Sequence, residues 1–128
     1  MLEVIARIQW AGCPKRPFYG PEEAPIRWAK RLGADRVELY TEPFAKAFAR
    51  SRADGQSSFE TYAAASTLAH TLGLGVNAGH DLDLANLVLF RELPHLDEVS
   101  IGHALIAHAL YVGLDRAVRD YLAAVSDR

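Results

Sequence analysis

Short runs rich in apolar residues alternate along this chain with longer stretches where apolar residues recur every three or four positions. Short runs of this kind predict buried strands and the periodic stretches predict helices, so the alternation argues for β/α units with parallel strands. Strands are expected over residues 3–9, Val37 to Tyr40, Leu74 to Asn77 and Glu98 to Ile101. Between them a helix runs to about Leu32, with Pro25 in its first turn and Gly33 as its stop. A short helical excursion, entered through Pro43, covers Thr41 to Arg50. Phe59, Tyr62, Ala63, Ser66, Ala69 and His70 then recur at helical spacing from Ser58 until Gly73, and Leu84 to Leu93 forms a short helix stopped by Pro94. Residues 10–21, crowded with Gly12, Pro14, Pro17, Gly20 and Pro21, predict loop, as does the polar stretch Ser51 to Ser57. The tail is strongly amphipathic, with Leu114, Ala117, Val118, Tyr121, Leu122 and Val125 on one stripe, and that stripe requires a surface to cover.

Two strand ends change the picture from scaffold to chemistry. Val76-Asn77-Ala78-Gly79-His80 and Ser100-Ile101-Gly102-His103-Ala104 each deliver a Gly-His pair to the C-terminal end of a strand, just before a helical segment. The last two strands of a (β/α)₈ barrel present catalytic and phosphate-binding groups in this way. Glycine opens the backbone to a ligand, and histidine titrates near neutrality. At 128 residues the chain is expected to be a single domain, shorter than a complete barrel of ~200–250 residues. A formal charge of −2 supplies no basic footprint, which argues against nucleic acid as a partner. Cys13 stands alone, so neither an intrachain disulfide nor a multi-cysteine metal site is expected. No apolar run has the length of a membrane span and no signal-peptide layout opens the chain, so a cytoplasmic location is expected.

The two Gly-His motifs, the Val37-Glu38-Leu39-Tyr40-Thr41 strand and the closing helix together resemble the C-terminal half of bacterial pyridoxine 5′-phosphate synthase. The resemblance covers roughly Pro21 to the C-terminus and leaves residues 1–20 as a divergent N-terminal segment before the unit 21–128. It implies an α/β fold that is part of a (β/α)₈ TIM barrel: a C-terminal half-barrel whose strands correspond to barrel strands five to eight. The implied activity is that of a transferase of vitamin B6 biosynthesis, condensing 3-amino-2-oxopropyl phosphate with 1-deoxy-D-xylulose 5-phosphate, with no cofactor. By the same resemblance His80 matches a proton-donating histidine and Glu38 a glutamate that stabilises charged intermediates. Gly102 and His103 match a pair that binds substrate phosphate, and Asp81 a binding position where many members have glycine. Glu42 also stands where many relatives have glycine, with no role assigned.

The chemistry asks for such groups on its own terms. Joining an amine to a ketone, eliminating water and phosphate and closing a ring requires repeated proton transfers, a carboxylate against an iminium, and anion sites before helices. Other polar residues have plainer readings. His70, His95 and His108 are expected to be surface or packing residues, and Asp83 to cap the helix that follows it instead of joining Asp81 and His80 around a metal. The glycines form no Gly-x-Gly-x-x-Gly fingerprint.

The family's general-base histidine, a second catalytic glutamate and several phosphate-binding groups come from its first three strands, and nothing here replaces them. A truncated or misassigned gene start, or a frameshift upstream of Pro21, is expected to explain both this and the unlikeness of the first twenty residues to a buried strand. Three functional classes follow: a pyridoxine 5′-phosphate synthase in incomplete form, a non-catalytic phosphate-binding or assembly module, and a different phosphate-handling enzyme made by pairing half-barrels. Open sheet edges and an apolar inner face, which a closed barrel would bury, predict a homodimer or higher oligomer, or else a poorly soluble chain.

Overall fold

A computed structural model describes residues 18–126. The predicted strand at 3–9 and Cys13 lie outside them. Four parallel strands form one sheet in the sequential order β1 (Phe18–Tyr19), β2 (Arg36–Tyr40), β3 (Gly75–Gly79) and β4 (Leu96–Ser100). The helices are α1 (Glu23–Arg31), α2 (Glu42–Arg50), α3 (Arg52–Thr71), α4 (Leu87–Phe90), α5 (His103–Val112) and α6 (Leu114–Ser126). Pro25 sits in the first turn of α1, where its missing N–H costs nothing, and Gly33 adopts φ 71° just beyond the helix end.

Three predicted boundaries need correction. Phe18–Tyr19 lies in the stretch expected to be loop, yet pairs with Glu38 and Leu39 of β2. Residues 52–57 are helix, because Ser51 caps α3 through its Oγ, which accepts from the Asp54 N–H at 3.0 Å. Gly55 belongs to that helix for a packing reason: a Cβ there would come within 3.0 Å of the Phe48 Cα on α2. The segment before Pro94 is helical only over Leu87–Phe90.

The sheet has two different faces. Val37, Leu39, Val76 and Ala78 point to the helical side and are buried against Ile26, Phe44, Tyr62 and Phe90. Aromatic rings dominate this core, with Phe44 at 4.8 Å from Phe90 and 6.2 Å from Tyr62 between centroids. The Tyr62 hydroxyl reaches the Tyr40 carbonyl at 2.5 Å, and burial pushes that phenol above its ordinary pKa. On the opposite face the register aligns Arg36 with Gly75, Glu38 with Asn77 and Glu98, and Tyr40 with Gly79 and Ser100. That inner face is therefore polar, where an apolar one was expected. Most of the exposed apolar side chains among the described residues lie elsewhere, on the α5–α6 hairpin, where Leu110 is 83% and Tyr111 90% accessible. Of the predicted tail stripe only Ala117 and Tyr121 are buried, while Leu114, Val118 and Leu122 remain exposed.

Candidate active site

Strand alternation puts Arg36, Glu38 and Tyr40 on the inner face as three successive rungs, and each rung continues across the sheet. On the lowest, Arg36 donates from Nη1 to Asn77 Oδ1 at 2.9 Å and to Asp97 Oδ2 at 3.1 Å. Asp97 occupies an irregularity between β3 and β4, where its carboxylate also accepts the Val76 N–H at 3.0 Å. The middle rung is Glu38, Asn77 and Glu98. Asn77 is fully buried, and its Nδ2 has no hydrogen-bond partner among the described residues. Gly79 on the top rung makes room for what lies below it. A Cβ there would sit 2.9 Å from Glu38 Oε1 and 2.9 Å from the Ser100 side chain, so the absence of a side chain lets the Glu38 carboxylate reach across β3.

Above the rungs, at the C-terminal ends of the strands, a cleft of about 600 Å³ opens. Glu38, His80, Asp81, Glu98, Gly102 and His103 line it, so all five residues singled out from the sequence meet around one space. A second recess of about 210 Å³ joins Asp81 and Asp83 to Gly102 and His103 at the start of α5. Gly102 is the N-cap of that helix, has no capping side chain, and would have nothing within 4 Å of an added Cβ. The backbone at this turn is open to an approaching group.

The loop after β3 is held in unusual geometry. His80 and Asp81 have φ 99° and φ 57°, values that favour glycine. Aspartate is among the few side chains that tolerate the left-handed region, which explains why Asp81 is accommodated at such a position. The strained turn is braced from both sides. Thr41 Oγ1 donates to the His80 carbonyl at 2.5 Å, and the Thr41 N–H donates to the Gly79 carbonyl at 3.0 Å. On the far side Asn86 Nδ2 donates to the Asp81 carbonyl at 3.0 Å. Asp83 Oδ1 accepts from the Ala85 and Asn86 N–H groups at 2.9 and 2.8 Å, so it closes the turn before α4. It does not cap that helix as expected: the N-cap position is Asn86, without a side-chain cap.

The other histidines sit apart from the cleft lining. His70 and His95 stack on each other at 3.7 Å between centroids, near the N-terminal ends of β3 and β4. His108 pairs with Asp120 at 3.0 Å and ties α5 to α6, and this bond, helped by Arg116, holds the Asp120 carboxyl below the usual range.

Sequence reasoning missed Glu98, Asn77 and Tyr40. The strict polar–apolar alternation of Arg36–Tyr40 was the available signal for Tyr40, whereas Asn77 and Glu98 join Glu38 only through the strand register. Tyr40 and Glu42 also form a pair beside His80: the Tyr40 hydroxyl donates to Glu42, which in turn binds Lys46. Those two bonds, Lys46 first, keep the Glu42 carboxyl below its ordinary pKa.

Comparison with known sequences places this geometry in a lineage. The profile of the family described as Pyridoxal phosphate biosynthesis protein PdxJ matches residues 1–127, including the first twenty. A protein of Porphyromonas gingivalis called pyridoxine 5′-phosphate synthase is 58% identical over 97 residues, 75% of this chain and 40% of that protein. Proteins of the same name from Christiangramia forsetii and Cytophaga hutchinsonii are each 47% identical, over 94% and 95% of this chain and 50% of their own lengths. The chain spans about half the length of these curated relatives. Matched from residue 1 to 127 by one profile, and sharing close to half its residues with these relatives, the chain belongs to the PdxJ family of pyridoxal phosphate biosynthesis proteins.

Proposed function

We propose that this chain supplies the C-terminal half of a (β/α)₈-barrel pyridoxine 5′-phosphate synthase, a cytoplasmic transferase that joins 3-amino-2-oxopropyl phosphate to 1-deoxy-D-xylulose 5-phosphate. The observation that carries the reading is the division of charge in the 600 Å³ cleft. Its rim holds the open N-terminus of α5 at Gly102 and His103, which suits a phosphate; its floor holds the carboxylates of Glu38 and Glu98, which suit an amine or iminium. A phosphorylated amine fits that arrangement end to end. In this reading His80, which also lines the cleft, donates a proton to departing oxygen, and Glu38 offsets the positive charge that develops on nitrogen. Asp81 borders the phosphate recess, where its carboxylate limits how closely an anion approaches from that side.

The phosphate role is tested by calorimetry with inorganic phosphate and with 3-amino-2-oxopropyl phosphate. Gly102→Val places a side chain in open space, so circular dichroism is expected to show an unchanged fold. It is expected to weaken binding about tenfold or more, the weight of one charge-assisted hydrogen bond. Equal binding by both proteins removes the phosphate role from this turn.

Self-association is the second part of the proposal. β1 and β4 are the edges of the described sheet, and Ile106, Leu110, Tyr111 and Leu122 are each more than half exposed. Sedimentation at micromolar concentration is expected to show a homodimer or larger species, and a stable monomer contradicts it.

A further inference from the structure

We infer that Tyr40, Glu42 and Lys46 form a positioning relay that sets the orientation of the His80 imidazole. The His80 main chain is fixed by Thr41, and at φ 99° its side chain projects from an exposed, strained turn, where a contact to the ring adds to what sets its orientation. The Tyr40 ring provides that contact. Its centroid lies 4.9 Å from that of His80, with the planes tilted by 47°, a separation within the contact range of aromatic pairs.

A tyrosine at a strand end holds a neighbour only if it is itself held. The Tyr40 hydroxyl donates to Glu42 Oε2, while the other oxygen of that carboxylate is taken by Lys46 Nζ one turn along α2. Glu42 is thereby gripped at both oxygens, and its side chain is only 28% exposed against 69% for Lys46. The hydrogen bond to Glu42 raises the Tyr40 phenol above its ordinary pKa, so the phenol keeps its proton and remains a donor. The relay runs from the surface lysine through a carboxylate and a phenol to the imidazole ring. It serves the proton-donor role proposed for His80 and in that sense rests on it.

The test reads the ring directly and needs no turnover. Imidazole ¹H–¹³C spectra of the chain are recorded for wild type, Tyr40→Leu, Tyr40→Phe, Glu42→Gln and Lys46→Gln, and the His80 cross-peak is identified by its loss in His80→Asn. Tyr40→Leu removes the neighbouring ring and defines the displaced position. Tyr40→Phe and Glu42→Gln are expected to move the peak most of the way there, and Lys46→Gln, at an exposed position that leaves the fold intact, part of the way. A His80 peak that stays at its wild-type position in Glu42→Gln and Lys46→Gln overturns the relay, as does one that Tyr40→Leu leaves unmoved. Because phosphate binding and product formation are measured separately, loss of the functional reading leaves this result standing.

Discussion

His80→Asn, made in this chain after it is joined to the N-terminal half of a relative, is expected to lower kcat about 10²–10⁴-fold, the usual contribution of a positioned acid or base. His70→Asn in the same protein should leave the rate within error of the parent. The contrast comes from topology. His80 follows β3 at the C-terminal edge of the sheet and lines the cleft with Glu38 and His103, whereas His70 precedes β3 and stacks on His95 near the opposite edge. A steady-state assay of pyridoxine 5′-phosphate formation separates the two, and comparable rates would reverse the ranking of the histidines. Asparagine keeps much of the imidazole's size and tolerates positive φ, so a loss of rate reports chemistry, not collapse of the turn.

Phe44→Ala should cost about 3–5 kcal/mol of folding stability. Phe44 is fully buried and touches Phe48, Tyr62 and Phe90, so its truncation opens a cavity where α2, α3 and α4 converge on the sheet. Native domains carry only about 5–15 kcal/mol in all, so the urea midpoint should fall far enough to leave part of the population unfolded at room temperature. Leu110→Ala, on a side chain 83% exposed, is the control and should stay within about 0.5 kcal/mol of wild type. Similar midpoints for both variants would mean that the aromatic cluster does not hold the helices to the sheet.

Much of this layout was legible because it depends on local pattern. The apolar positions of Arg36–Tyr40 and Gly75–Gly79 alternate with polar or glycine positions, and in the fold they separate the helical face from the inner face. The two Gly-His pairs marked the strand ends that border the cleft. What escaped depends on contacts between elements. The first turns of α3 are polar and contain Gly55, which reads as loop until its close approach to Phe48 is seen. The inner face was expected to be apolar because parallel strands usually are, but register assembles Arg36, Glu38, Asn77 and Glu98 on one side, and no single strand reveals that sum. The Glu42–Lys46 pair follows helical spacing, but the role of Glu42 stayed unread because its other partner, Tyr40, lies on β2 and meets it only where strand and helix join.

On the proposed function, the start of α5 is the phosphate-binding end of a pyridoxine 5′-phosphate synthase site. Backbone amide spectra recorded while 3-amino-2-oxopropyl phosphate is added test it most directly. Saturable shifts are expected at Gly102, His103 and Ala104, accompanied by His80 and Asp81 in the same cleft lining, with His70 and His95 unmoved. Shifts absent from the Gly102–Ala104 turn, or concentrated at the other edge of the sheet, would contradict it.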